Sequence, residues 1–493
     1  MCRLSVLFAL TWLAGCLPIP NLRADLNLPA APQRIGTQQV ATQYVSLPGE
    51  NTVGTPKRLN RALYLRYYAP EAHPDAHEDP DTILILMPGI FGGATSFEVL
   101  ARELVASRAG LEVWAIDRRA NGLEDRSAIR KSLRTRNPDT AYRYYVEDAG
   151  TPSGFNAVPE EELGFMRRWG LVTHLRDLHA VVARANERAE TVVLGGHSLG
   201  ASIASFYAAY RFDEGLGDEQ LDGLLLLDGT VGRTGAFSLT AGLSLGGLEL
   251  IPAATGYDDG RGTPFISVGL GPDFYAAQEA RGLMARFKPD ALAPDTAFPV
   301  TNLARVGIQA DEDYAPSATF SASLGKAVGA RYGGNLAAFI IDGPGSSSSR
   351  TVAGVADGFD RVSWSPGDPE REYTDMSEYL RARTTPESNF NEWYFPLRLL
   401  VDISELPLNL SGRDDFTAHS EVTVPTLAVG AGRGLVTSLD GFSAYSNLRA
   451  SALFSSYVIP GFTHIDIVTA RDNPVVPLFD RWLGQLKQLR RNE

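Results

Sequence analysis

Short uninterrupted apolar runs alternate with segments of helical spacing along two parts of this chain, and the alternation stops between them. Thr82–Met87 is continuously apolar, as expected of a strand buried on both faces. Residues 97–107 have helical spacing, and 111–116 predict a second strand ending at Asp117. A charged, irregular stretch over 120–165 reads as a surface excursion. Residues 171–187 then predict an amphipathic helix, 191–194 a strand, and the segment running through Tyr210 a further helix. Another strand is expected over 221–227, and two strand-like segments, 40–47 and 62–68, come before the alternation starts. Alternating strands and helices predict the α/β class: a mostly parallel central sheet with helices on both faces.

Beyond Asp228 the rhythm is lost. Residues 231–415 are rich in Gly, Pro and aromatic side chains and include a Gly-Ser tract at 345–350. We read them as one large, mainly helical cap inserted into the core. The sheet pattern resumes at 422–429, followed by a strand over 454–459 and a helix over 475–490. The core is thus expected in two parts, 37–230 and 416–493, and a chain of 493 residues is long enough for such an insertion.

Charge and cysteine content narrow the function classes. The net charge of −13 disfavours a phosphate backbone, so nucleic acid is not an expected partner. The only cysteines are Cys2 and Cys16, which excludes a cysteine nucleophile or a thiolate metal site in a mature domain that begins at Cys16. Arg3 precedes an apolar run over 4–13 that is too short to span a bilayer, and Leu13-Ala14-Gly15-Cys16 follows. This stretch resembles the lipobox of bacterial lipoproteins. The resemblance implies a signal peptide over 1–15, lipidation of Cys16 and a Pro/Ala-rich tether over 16–36. It also implies a lipid-anchored place in the bacterial cell envelope. Leu17, where an Asp would signal inner-membrane retention, points to the outer membrane.

Gly196-His197-Ser198-Leu199-Gly200 stands between a predicted strand and a predicted Ala-rich helix. Glycines on either side of a serine permit a tight strand-to-helix turn that displays the hydroxyl at the carboxyl end of the sheet. A serine hydroxyl needs a base. Of seven histidines, His464 lies just past the last strand, where a turn can swing its ring to that same edge, and it is the expected base. An acid should orient the imidazole. Asp228, at the end of 221–227, and Asp440, beyond the Gly430–Gly434 loop, both remain candidates. Backbone N–H groups of Leu199 and of Ile90, in Pro88-Gly-Ile-Phe-Gly92, are the expected oxyanion donors.

Met87-Pro-Gly-Ile-Phe-Gly-Gly, Trp114-Ala-Ile-Asp-Arg-Arg-Ala-Asn-Gly, Gly-His-Ser198-Leu-Gly and Gly-Phe-Thr-His464-Ile-Asp, in this order, together resemble the α/β-hydrolase superfamily over residues 40–230 and 416–493. The resemblance implies the fold, the roles named above and a cap after the sixth strand. It leaves the substrate open. Two departures stand out. Pro88 opens the oxyanion loop where many members carry His, and the usual acid position after the 422–429 strand holds Arg433 and Gly434.

Other readings are weaker. Gly430-x-Gly432-x-Gly434 lacks the third glycine of a dinucleotide loop. His73 and His77, or Asp414, Asp415, His419 and Glu421, could suggest a metal, but they fall in polar loops. Arg126, Arg130, Lys131, Arg134 and Arg136 read as a solvated helix face, with contact to anionic lipid as the alternative. The expected activity is hydrolysis of a small-molecule or lipid carboxylic ester, esterase- or lipase-like, with no metal and no cofactor. The alternatives are a serine peptidase or acyltransferase with the same residues, or a non-catalytic lipid-anchored binding protein.

Overall fold

The computed structural model describes residues 40–70, 79–229, 243–245, 248–251, 263–266, 271–318, 320–334, 350–406, 410, 413–448 and 453–492. The expected leader, Cys16 and tether, His73, His77 and residues 345–349 of the Gly-Ser tract lie outside these. Eight strands form one sheet: β1 (Ala41–Pro48), β2 (Arg61–Tyr68), β3 (Thr82–Met87), β4 (Leu111–Asp117), β5 (Thr191–His197), β6 (Gly223–Leu227), β7 (Thr426–Arg433) and β8 (Phe454–Thr463). Their order is β1-β2-β4-β3-β5-β6-β7-β8. β2 is antiparallel to both β1 and β4, and every other neighbouring pair is parallel.

The helices that pack on the sheet or over its edge are α1 (Glu98–Ser107), α2 (Leu171–Asn186), α3 (Leu199–Ala209), α4 (Pro272–Phe287), α5 (Asn302–Ala310), α6 (Met376–Arg383), α7 (Leu397–Glu405) and α8 (Val475–Asn492). The continuous apolar runs follow from burial on two sides. Ile83, Ile85, Leu224 and Leu226 share a core with α2 and α3. Leu84, Leu86, Leu225 and Leu227 point the other way, into a core shared with α1 and α8. A strand's side chains alternate between faces, so a doubly covered strand favours apolar residues at nearly every position and carries a polar one only where it is paired, as Glu112 of β4 is with Arg66. Each fully buried leucine contributes on the order of 1.5–3 kcal/mol.

The segment between β6 and β7 lies over the carboxyl edge of the sheet. Besides α4 to α7 it has three short antiparallel ladders: Leu243–Leu245 with Leu248–Ile251, Lys326–Val328 with Ser363–Ser365, and Ala330–Gly334 with Arg350–Val355. These ladders are too short to leave a readable period in the sequence. The 120–165 excursion is a chain of short helical pieces, including Ser127–Thr135. Arg126 does not belong to a solvated face. It is buried and donates two 2.8 Å hydrogen bonds to Glu279 on α4. A counter-charge 153 residues away draws it inward and fastens the excursion to the cap.

Candidate active site

Ser198 occupies the turn between β5 and α3 at φ 58° and ψ −124°. A side chain holds such a conformation only when its surroundings impose it. Its N–H donates to the Leu227 carbonyl on neighbouring β6 at 2.9 Å. A Cβ at Gly196 would come within 2.1 Å of the Gly200 oxygen, and one at Gly200 within 1.9 Å of the Met87 oxygen. The turn therefore closes only with glycine at both positions.

His464 follows β8 and Asp228 follows β6, and both are buried. His464 Nδ1 lies 2.6 Å from Asp228 Oδ2. A carboxylate only accepts, so Nδ1 carries the proton in this bond, and Nε2 is the ring nitrogen not engaged by Asp228. Asp228, at φ 41°, also receives the N–H groups of Ala431 (3.0 Å), Leu435 (2.9 Å) and Val436 (2.9 Å) from the loop after β7. Burial alone would raise its pKa. The His464 bond and these backbone donors outweigh burial and hold the carboxyl below the usual carboxylate range.

That arrangement accounts for the missing acid after β7. The loop there supplies a nest of donors around an acid borrowed from β6, and a Cβ at Gly434 would meet Asp228 Oδ2 at 2.1 Å. Asp440, the alternative acid, is exposed at the start of the short helix Asp440–Ser446, while His464 Nδ1 is bonded to Asp228. The glycine-rich loop thus serves a carboxylate of the chain itself.

His464 is also held from behind. His197 Nε2 donates to the His464 carbonyl at 2.9 Å, and the two rings lie 4.2 Å apart. Burial lowers the His197 pKa to about 3, so this ring stays neutral at any ordinary pH. Asp466, two residues on, is fully buried and accepts from Thr463, from Ser323 and from the Thr374 hydroxyl. It ties the His464 turn to the cap and does not touch the imidazole. Of the other described histidines, His174 bonds the Gly170 carbonyl and His179 the Tyr207 hydroxyl. His419, expected in a polar loop, is buried with its ring against Phe206 and Tyr445, because the segment before β7 packs under α3.

Ile90 lines the cavity that Ser198 and His464 line, and Leu199 directly follows Ser198 in the chain. Leu199 begins α3, so its N–H has no acceptor within the helix. Among the described residues no acceptor meets the Ile90 N–H. Arg118, to which the sequence reading assigned no role, is fully buried and shapes this loop. It donates to the carbonyls of Pro88 (2.5 Å), Gly89 (2.8 Å) and Gly92 (3.0 Å), and its charge is met by Glu392 of the cap at 2.8 Å. One cation thus gathers three carbonyls of the loop and fixes its shape. Phe91, at φ 54°, completes the bend. In the sequence Arg118 stood out only by its place after the strand-end Asp117, inside the Trp114–Gly122 motif.

Ser198, His464, Ile90 and Phe91 line a cavity of about 390 Å³, roofed by side chains of the cap that include Phe274, Phe320 and Phe390. Its walls are mostly apolar. The Phe320 ring meets the His464 ring edge-on, with centroids 5.4 Å apart. Among the described residues no group of side chains has the make-up of a metal site.

No protein-family model matches the chain, and no curated protein matches it in sequence. Solved structures do resemble it. A candidate lipase from Sulfolobus solfataricus is 16% identical, with a TM-score of 0.52 over 93% of this chain and 98% of its own. Epoxide hydrolase A from Mycobacterium thermoresistibile is 14% identical, with a TM-score of 0.42 over 90% and 98%. A thermophilic esterase from Thermogutta terrifontis is 13% identical, with a TM-score of 0.36 over 90% and 99%. At such identities the likeness concerns architecture, and the first of the three carries it. With the order β1-β2-β4-β3-β5-β6-β7-β8, helices on both faces and a cap between β6 and β7, the fold of this chain is that of the α/β-hydrolases.

Proposed function

We propose that this protein is a serine hydrolase that cleaves carboxylic esters through an acyl-enzyme on Ser198. The observation that carries the reading is the shared cavity. A serine on a strained elbow and an imidazole anchored to a buried carboxylate open onto the same space. Ser198 Oγ attacks the ester carbonyl carbon while His464 Nε2 takes its proton. The N–H groups of Ile90 and Leu199 receive the oxyanion. Asp228 keeps the imidazole in the required tautomer and balances its charge while it is protonated. The tetrahedral intermediate expels the alcohol, which leaves with the proton from His464. A water molecule, deprotonated by the same imidazole, then attacks the acyl-enzyme; the acyl–Oγ bond breaks, the acid leaves, and His464 returns the proton to Ser198 Oγ.

The apolar, aromatic walls suit an acyl chain or another apolar ester. The N-terminal lipid on Cys16, with a place in the bacterial outer membrane, belongs to the same proposal and rests on the residues around Cys16 alone. Metabolic labelling with a radioactive fatty acid tests it, since the Cys16→Ala protein should stay unlabelled.

The catalytic reading is tested by labelling the folded protein with a fluorophosphonate probe and by assaying p-nitrophenyl acyl esters, both against Ser198→Ala. Labelling and turnover that vanish in Ser198→Ala are the expected result. A folded wild-type protein that neither labels nor turns over would overturn the proposal and favour a binding protein on a hydrolase scaffold.

A further inference from the structure

We infer that the ester taken by this cavity carries a second, anionic group, a carboxylate or a phosphate, and that Arg383 receives it. The inference rests on the serine-hydrolase reading above and adds a substrate class to it. Arg383 ends α6 in the cap and lines the cavity that Ser198 and His464 also line. It is the one permanently charged side chain among the described residues of that lining, and no carboxylate lines the cavity with it.

The rest of the interior treats arginine differently. Arg118 is paired with Glu392, Arg119 with Asp177 and Arg126 with Glu279. Arg381, two residues before Arg383 on the same helix, is paired with Glu98 and Glu378. Arg383 has no acidic partner among the described residues. The aromatic groups around it hold its position without neutralising it. Its guanidinium lies 5.4 Å from the Tyr379 ring centre and 5.5 Å from that of Phe390, and Nη1 donates to the Tyr379 hydroxyl at 2.9 Å. Nε is buried and meets no acceptor among the described residues.

A guanidinium held against two touching rings, with Nε and the adjacent amino group unspent, presents the planar fork that fits two oxygens of one anion. Inside an apolar cavity that pairing is stronger than in water, and an unpaired charge there is costly to keep. In a chain of net charge −13, a lone cation in the cavity that the candidate nucleophile lines is matched to an incoming oxyanion. Tyr275, Gln278 and Gln309, which line the same cavity, are neutral and do not compete for it.

The test compares p-nitrophenyl hydrogen glutarate with p-nitrophenyl valerate. Their acyl chains match in length, and only the first is anionic. Rates are corrected for spontaneous release with Ser198→Ala. Wild type should favour the glutarate in kcat/KM by tenfold or more. In Arg383→Gln that ratio should fall at least tenfold, and Arg383→Lys, which keeps the charge, should retain part of it. Thermal shifts with glutarate and with inorganic phosphate serve as a second readout that does not depend on turnover, and the larger shift identifies the kind of anion. A rise in Tm for wild type that is absent in Arg383→Gln is expected. An unchanged ratio in Arg383→Gln, or no thermal shift from either anion, overturns the inference. Loss of all turnover and all fluorophosphonate labelling in wild type overturns the hydrolase reading and leaves the thermal shift to judge the anion site.

Discussion

His464 Nδ1 stands 2.6 Å from Asp228 Oδ2, although 236 residues separate the two. The sheet closes that gap. β6, β7 and β8 are consecutive neighbours, so the residues after β6 and after β8 flank the loop that follows β7. That loop binds the Asp228 carboxylate through three backbone N–H groups, and the carboxylate in turn orients the imidazole.

Replacing Asp228 by Asn should lower kcat on a p-nitrophenyl ester by roughly 10³–10⁴-fold, because the amide no longer fixes the Nδ1–H tautomer. It should also cost about 1–3 kcal/mol of stability, since an amide NH2 would face backbone donors. Asp440→Asn should leave kcat within about twofold, because Asp440 is exposed on its short helix. Steady-state kinetics of the pair decide it, and a large loss in Asp440→Asn with none in Asp228→Asn would reverse the assignment.

Gly434→Ala tests the nest from the other side. The added Cβ would fall 2.1 Å from Asp228 Oδ2. Either the acid or the loop must move, at a cost of about 1–3 kcal/mol. We expect kcat to fall on the order of 100-fold with KM little changed, because a small misplacement of a positioning group acts on the chemical step. Wild-type kcat in this variant would show that the close approach has no functional consequence.

Arg118→Lys keeps a charge but cannot reach three carbonyls and Glu392 together. Burial holds the Glu392 carboxyl up at about 7 even beside Arg118, so it tolerates a poorer partner badly. Disturbing this buried pair should cost about 3–5 kcal/mol, visible in chemical denaturation. The freed Pro88–Gly92 loop should lower kcat by roughly 10–100-fold through a misaligned Ile90 N–H. A loss of stability without a loss in kcat would separate the clamp from the oxyanion site.

Glu372 gives the pH dependence a definite sign. Burial, then the nearby Asp311, Asp313 and Asp466, push its pKa up to about 8. A carboxyl with a raised folded-state pKa binds its proton more tightly when folded. Its contribution to stability is therefore full below the unfolded-state pKa of about 4.3, declines as pH rises toward 8, and is gone above that. Glu372→Gln should raise Tm by on the order of 1–2 °C at pH 9 and leave it unchanged at pH 4. Melting curves at the two pH values check this, and an equal shift at both would exclude titration as the cause.

Local regularities were readable in the residues themselves. The apolar runs at Thr82–Met87 and Gly223–Leu227 announce doubly buried strands because a strand covered on both faces favours apolar residues on both. The glycines around Ser198 announce a tight turn because no larger residue fits there. Both signals come from neighbours along the chain. Which acid meets His464 was open between Asp228 and Asp440, since both follow core strands, and only the folded loop after β7, which turns its N–H groups onto Asp228 and leaves Asp440 exposed, selects one. Arg118, Arg126 and Arg383 look alike as letters. Tertiary structure alone gives the first Glu392, the second Glu279 and the third no carboxylate among the described residues, because a charge is judged by what folding brings to it from far along the chain.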